Sequence, residues 1–232
     1  MPVLTPTKDK GATTKPMPGV YVEAAQQTTD DMLATTMPEG GLNGPFVADL
    51  LSAMLTHERC GRHLYRSVEG RTNNPILKGK YREFGQETER HVEILEQLIT
   101  QLNGNPNYVS PMARAVEGTD SKLLESTFML AGSLDLVTAE MAMLDAVFLA
   151  ESADHANWKT LSELVNSFPA GDLRDAFRTA VNEVEEQEDE HLEWASAMKS
   201  RMVKLQATSA SKAKIGAVGE EFVARIKEWF KE

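Results

Sequence analysis

Glu188 and His191 stand one helical turn apart within the run EQEDEHLEWASAM. That spacing puts both side chains on one face of a helix. The rest of the face is apolar: Leu173, Phe177, Val181, Val184, Ala195, Met198, Met202 and Leu205 recur at alternating steps of four and three, the seam of a helix bundle. An ionised group in a dry core costs several kcal/mol unless it is paired or holds a cation. The same anomaly recurs three times. Val47, Leu50, Leu51 and Met54 lead into Glu58, with Tyr65 two turns on. Leu77, Tyr81, Phe84, Thr88, Leu95, Leu98 and Leu102 form a stripe with His91 inside it and Glu87 at its edge. Leu134, Val137, Met141, Leu144, Val147 and Phe148 form another, with Glu140 on its inner side. One seam glutamate is ordinarily a local salt bridge, and one seam histidine a satisfied core residue. Four segments contributing together point to convergence on a cation. Carboxylate oxygens and imidazole nitrogens suit iron or manganese, and zinc is allowed.

The elements that must position these groups are helical. Asn43 or Gly44 followed by Pro45 opens a helix that runs to about Gly70, and the cap-then-proline pattern of TNNPIL opens a second that runs to about Leu102. NGNPNYVSPMARAVEGT then reads as a long connection with room for a short turn of helix. A third helix is expected from TDSKLL to about Glu151, and a fourth from about Asp172 to Gln206, with SADHANWKTLSELVNSFPAGD between them carrying a short helix of its own. Lengths of about 25 to 35 residues give roughly 38 to 52 Å. The long middle connection can span roughly 55 Å when extended, enough to cross the bundle end to end. Strand signals and short solenoid repeats are not evident. The expected organisation is a flexible N-terminal arm over 1–43, a helical bundle over 44–206, and a linker with a C-terminal amphipathic helix over 207–232.

Composition narrows the function classes. With 232 residues and 41% apolar content the chain can build a sizeable core. A formal net charge of −11 and a pI near 5.0, without a basic cluster, argue against a nucleic-acid partner. Cys60 is the single cysteine, so no intrachain disulfide forms, and a reducing, cytoplasmic setting is the simplest expectation. The start lacks an apolar signal core and no run of eighteen apolar residues occurs, so no membrane span is expected. His57 and His63 flank Glu58 but fall off its stripe and are expected at the surface, and Glu151 is expected near a helix end within reach of water. The eleven methionines are spread over several helices and read as core filler, and Cys60 as structural. The stripe Ile215, Val218, Phe222, Val223, Ile226, Trp229 and Phe230 must be buried somewhere. It can dock on its own bundle, exchange with a second copy or engage a protein partner. Its balanced polar face disfavours an anionic membrane.

Over roughly residues 44–206 the pattern resembles the ferritin-like di-metal carboxylate family of bacterioferritins, rubrerythrins and ferritins. In that family one glutamate comes from each of two helices and a Glu-x-x-His from each of the other two. The resemblance implies an all-α, ferritin-like four-helix bundle with one long crossover. It implies a metal site built from Glu58, Glu87, His91, Glu140, Glu188 and His191, holding two iron ions or, alternatively, manganese. Tyr65, seven residues after Glu58, resembles the tyrosine beside the metals in bacterioferritin-type sites. One departure stands out: QETERH has Thr88 where QEDEH has its glutamate. Glu87 would reach the metals if the helix carried a one-residue π-bulge there, or through the i, i+4 relation to His91; otherwise it is a solvated flank residue. The implied function is ferroxidase or peroxide- and oxygen-reducing activity in metal homeostasis or oxidative-stress defence. Metal ions and dioxygen or peroxide are then the partners, and the protomer is expected in a homo-oligomer. A non-catalytic interaction scaffold with a degenerate site and an iron-storage subunit are the alternatives. No C-x-x-C pair is present for a rubredoxin-like iron.

Overall fold

The computed structural model describes residues 3–7, 11–15, 42–129 and 136–208. The chain divides into two compact units, Met1–Gly41 and Leu42–Glu232. In the first, β1 (Val3–Thr7) pairs antiparallel with β2 (Gly11–Lys15), in a register from Val3 opposite Lys15 to Thr7 opposite Gly11. Strand signals are not evident in this stretch of the sequence, so the pairing is not expected from it. The segments VLTPT and GATTK lack the alternation of polarity that would flag a strand in sequence.

The second unit is all-helical among its described residues: α1 (Gly44–Arg71), α2 (Pro75–Gln101), α3 (Pro111–Ser126), α4 (Leu136–Val165) and α5 (Asp172–Thr208). The first three helices start alike. Asn43 accepts from Phe46 N, Asn74 from Ile76 N and Leu77 N, and Ser110 from Ala113 N, each just ahead of a proline whose missing N–H costs nothing in the first turn. The long helices close a ring of contacts, α1 on α2, α2 on α5, α5 on α4 and α4 on α1, while α3 packs on α1 and α4. None of the described helices is long and apolar enough to cross a membrane.

Two boundaries differ from the expected ones, and both matter for the site. The connection after α2 contains a full helix, α3, rather than a short turn. The third long helix is displaced toward the C-terminus: it does not stop at Glu151 but continues to Val165. Its buried residues Leu144, Val147, Glu151, Asp154, Trp158, Leu161 and Val165 keep the three-four step without a break. The C-terminal stripe over 215–232 lies outside the described residues.

The apolar core comes in two blocks. One joins Val47–Leu55 of α1, Val92–Ile99 of α2, Trp158–Phe168 and Phe177–Val184. The other joins Leu64–Val68, Leu77–Phe84, Met143–Ala150 and Ala195–Leu205. The first half of α1 therefore meets the second half of α2, and the same holds for α5 and α4, so each pair is antiparallel. Between the blocks lies a layer of buried ionisable groups: Glu58, His91, Glu151, Asp154, Glu188 and His191.

Candidate metal centre

Each long helix delivers its polar groups to this layer through the same seam that buries its leucines. Glu58 follows Met54 by four residues on α1, and Glu151 follows Val147 by four on α4. Glu188 follows Val184 on α5, with His191 one turn on. On α2 the corresponding positions are Thr88 and His91. Ligand atoms of Glu58, His91 and Glu188 lie within 4.8 Å of one another, and so do those of Glu151, Glu188 and His191. Glu188 is common to both groups, which makes it the centre of the layer.

The contacts within the layer are close but poorly matched as hydrogen bonds. His91 Nδ1 is 3.0 Å from Glu188 Oε1 and 3.5 Å from Glu58 Oε1, yet Nδ1, both Glu188 oxygens, Glu58 Oε2 and Asp154 Oδ1 are buried without an aligned partner. Native interiors rarely leave such atoms unsatisfied. Two ligand atoms bound to one ion at about 2.1 Å and near right angles sit roughly 3 Å apart. The orphaned donor and acceptor set could therefore hold a divalent cation.

The surrounding bonds hold the ligands in place. His191 Nδ1 lies 3.2 Å from Glu151 Oε2 and its Nε2 lies 2.7 Å from Glu87 Oε2. His91 Nε2 lies 2.9 Å from Gln187 Oε1. Trp158 Nε1 donates to Glu58 Oε1, and Tyr65 Oη donates to Glu151 Oε1, both at 2.7 Å. Outer contacts of this kind fix the orientation and basicity of ligating side chains.

Electrostatics follow from burial and from the excess of carboxylates. Burial opposes a charge on His91, but its bonds to Glu188 and Glu58 and their charges together overcome this and raise it to about 11. His191 is raised to about 9 in the same way, burial opposing and Glu151 and Glu87 prevailing. Glu188 is pushed up to about 7 by burial, with His91 opposing and Glu151 and Glu58 adding to the rise. Asp154 is raised well above the carboxylate range by burial and by Glu188, Glu58 and Glu151. Burial, then Glu151, pushes the Tyr65 phenol well up. Glu87 is held low, chiefly by its bond to His191. The surrounding carboxylates thus favour the protonated form of both imidazoles.

The expected site residues divide. Glu58, His91, Glu188 and His191 come together, with Tyr65 against them. Glu87 reaches the layer, but as the partner of the outer nitrogen of His191 and not as a member of either three-residue group. Of the two routes considered for Glu87, the bulge is not there: α2 is α-helical from Pro75 to Gln101, and Thr88 occupies the seam with its hydroxyl bonded back to Phe84 O at 2.8 Å. Glu140 does not join the layer. It sits near the start of α4 and accepts from Thr72 Oγ1 at 2.8 and 2.7 Å and from Asn73 N at 2.9 Å, so it ties down the α1–α2 connection. Glu151 takes its place, about three turns further along α4, because that helix continues to Val165 instead of ending at Glu151.

Sequence reasoning also missed Asp154, Trp158 and Gln187. The signal for the first two was the seam step, which continues past Glu151 in Asp154, Trp158, Leu161 and Val165. His57, expected at the surface, is buried. Its Nδ1 lies 2.8 Å from Asp120 Oδ2 on α3, and its Nε2 lies 3.1 Å from Ala150 O. Burial opposes a charge there too, yet the bond to Asp120 raises His57 to about 9. His63 is exposed. Cys60 is half-buried, its thiol pushed up to about 11 by burial and then by Asp120 and Glu117, which keeps it unreactive. Met54, Met143, Met198 and Met202 fill the core. No family model, curated protein or solved structure matches this chain.

Proposed function

We propose that the helices form a ferritin-like four-helix bundle with one long crossover, and that its polar layer binds two iron or manganese ions for redox chemistry on dioxygen or peroxide. The observation that carries this reading is Glu188, buried and shared between the Glu58, His91 group and the Glu151, His191 group. A carboxylate between two such groups suits a pair of ions. Bound there, the ions would supply one-electron exchange with dioxygen or peroxide, as ferroxidase or peroxide-reducing activity requires.

The chain's own residues have separable tasks. Glu58, Glu151 and Glu188 hold positive charge, and His91 and His191 fix its two ends. Loading must release the protons those imidazoles carry, so uptake is favoured by rising pH. Trp158 and Tyr65 each hold one carboxylate oxygen; the other is unpartnered in Glu58 and faces His191 Nδ1 in Glu151. The two apolar blocks exclude water above and below the layer. A non-catalytic scaffold with a degenerate site is the competing reading, and Thr88 in a position where the family resemblance calls for a glutamate is what favours it. Elemental analysis of anaerobically purified protein, alongside a Glu188→Ala/His191→Ala variant, separates the two. About two iron or manganese ions per chain, lost in the variant, is the expected result; a parent chain that stays empty after reconstitution would favour the scaffold.

A further inference from the structure

The outer groove between α1 and α2 carries a charge pattern that the pairing of the two helices does not use up. Arg62, Arg66 and Glu69 follow one another at steps of four and three on α1, and Arg82, Gly85 and Glu89 at steps of three and four on α2. The helices are antiparallel, and two ion pairs cross the groove. Arg62 Nη1 lies 2.7 Å from Glu89 Oε1, and Arg82 Nη2 lies 2.8 Å from Glu69 Oε1. The register that joins these pairs places Gly85 opposite Arg66, with the neutral Gln86 beside it. Arg66 is exposed, and no described carboxylate pairs with it.

Between the two pairs lies a cavity of about 370 Å³, the size of a small-molecule site. Glycine is a poor residue for a helix interior, but a Cβ at Gly85 would come within 3.1 Å of Tyr65 Cβ. Gly85 thus lets α2 close on Tyr65 and puts no side chain into the cavity. Tyr65 lines the cavity from below, and its hydroxyl bonds Glu151 in the polar layer. The lining holds three guanidiniums against two carboxylates, a net positive charge on a chain of net charge −11. Arg62 Nε is buried without an acceptor. Ion pairing alone does not account for this arrangement, because the position opposite Arg66 is filled by space and not by an acid. A concave wall of positive charge concentrates anions, and guanidinium forks match the oxygens of carboxylates and phosphates.

We propose that this cavity binds a small oxyanion, a carboxylate or a phosphate, held by Arg66 with Arg62 and Arg82 at its two ends. The site is separate from the polar layer and meets it only at Tyr65, whose ring forms part of the cavity wall while its hydroxyl serves the layer. Occupancy of the cavity therefore does not require ions in the layer.

Titration of the metal-free, ¹⁵N-labelled chain with sodium phosphate and, separately, with sodium succinate tests this through the amide shift of Gly85. Sodium chloride at matched ionic strength is the reference. A saturable shift of Gly85, with Gly118 on α3 unmoved, is expected with at least one of the two anions, and the one that binds assigns the ligand class. Arg66→Gln should weaken binding about tenfold, because one charge-assisted contact is lost, and should keep its helical circular dichroism. Glu89→Gln should tighten binding, since it frees Arg62 and removes a competing acid. Glu96→Gln makes the same charge change two turns further along α2 and should leave affinity unchanged. No saturable shift with either anion would overturn the site. Parental affinity in Arg66→Gln would overturn it too, as would equal tightening in Glu96→Gln, which would reduce the effect to overall charge. None of these results bears on the two-ion reading, which metal content tests.

Discussion

Replacing Glu188 with glutamine should strengthen the protein without metal and weaken it with metal. Glu188 is 1% exposed and both of its oxygens lack an aligned partner. Its carboxyl rises from 4.5 to about 7, with burial the largest cause. A folded-state value above the unfolded one means that ionising this group costs stability. The group's favourable contribution is fully present below about 4.5 and is lost as pH rises through about 7. The rise corresponds to roughly 3 kcal/mol at about 1.36 kcal/mol per pH unit, and relaxation around the site brings the expected gain for Glu188→Gln to about 1–3 kcal/mol at pH 8. At pH 5 the folded carboxyl is neutral but the unfolded one is already largely ionised, so the gain should shrink to about a quarter of its pH 8 value. With excess Mn²⁺ the order reverses, since the parent is stabilised by RT ln(1 + [L]/Kd) and the variant has lost the shared ligand; an excess of about 100 Kd adds about 2.7 kcal/mol to the parent. Equilibrium urea unfolding, with chelator and with Mn²⁺ under anaerobic conditions at pH 5 and 8, reads all four values. A Glu188→Gln chain destabilised equally with chelator and with Mn²⁺ would refute the reasoning, because Glu188 would then be an ordinary satisfied core residue.

Glu140→Ala should leave metal stoichiometry and affinity unchanged but cost about 1–3 kcal/mol in urea unfolding, because Thr72 Oγ1 and Asn73 N lose their acceptor. A drop in metal content in that variant would return Glu140 to the site. Asp120→Ala should cost about 3 kcal/mol at pH 7, since it strips the buried His57 of its counter-charge. His57 is raised from 6.5 to about 9, so the stabilisation is fully present below 6.5 and is lost as pH rises through about 9. The difference between parent and variant should shrink accordingly between pH 7 and 10, and a cost independent of pH over that range would show that the pair is not ionic.

The amino-acid sequence determined the helical class, the cap-then-proline starts of α1 and α2, and the seam of α5 with Glu188 and His191 embedded in it. Those features are local: a three-four step and a cap depend on neighbours within a turn or two, so they can be read without the partner helices. It also carried the departure at Thr88, visible as one residue in one heptad. The seam of α4 was equally present, but the polar run around Ser152 to Asn157 looked like a connection. Only the packing of Trp158, Leu161 and Val165 against α1 and α5 shows why that run stays helical. Tertiary structure then decided which carboxylate of α4 meets the histidines. A helix that continues to Val165 presents Glu151 and Asp154 to the layer and leaves Glu140 beside the α1–α2 connection. It also decided the outer bonds, Trp158 to Glu58, Tyr65 to Glu151 and Glu87 to His191, which join residues far apart in sequence. Periodicity along one helix says which face is buried. The relative offset of four helices, fixed by how their side chains interlock, says which buried groups share a level, and no single stripe contains that information.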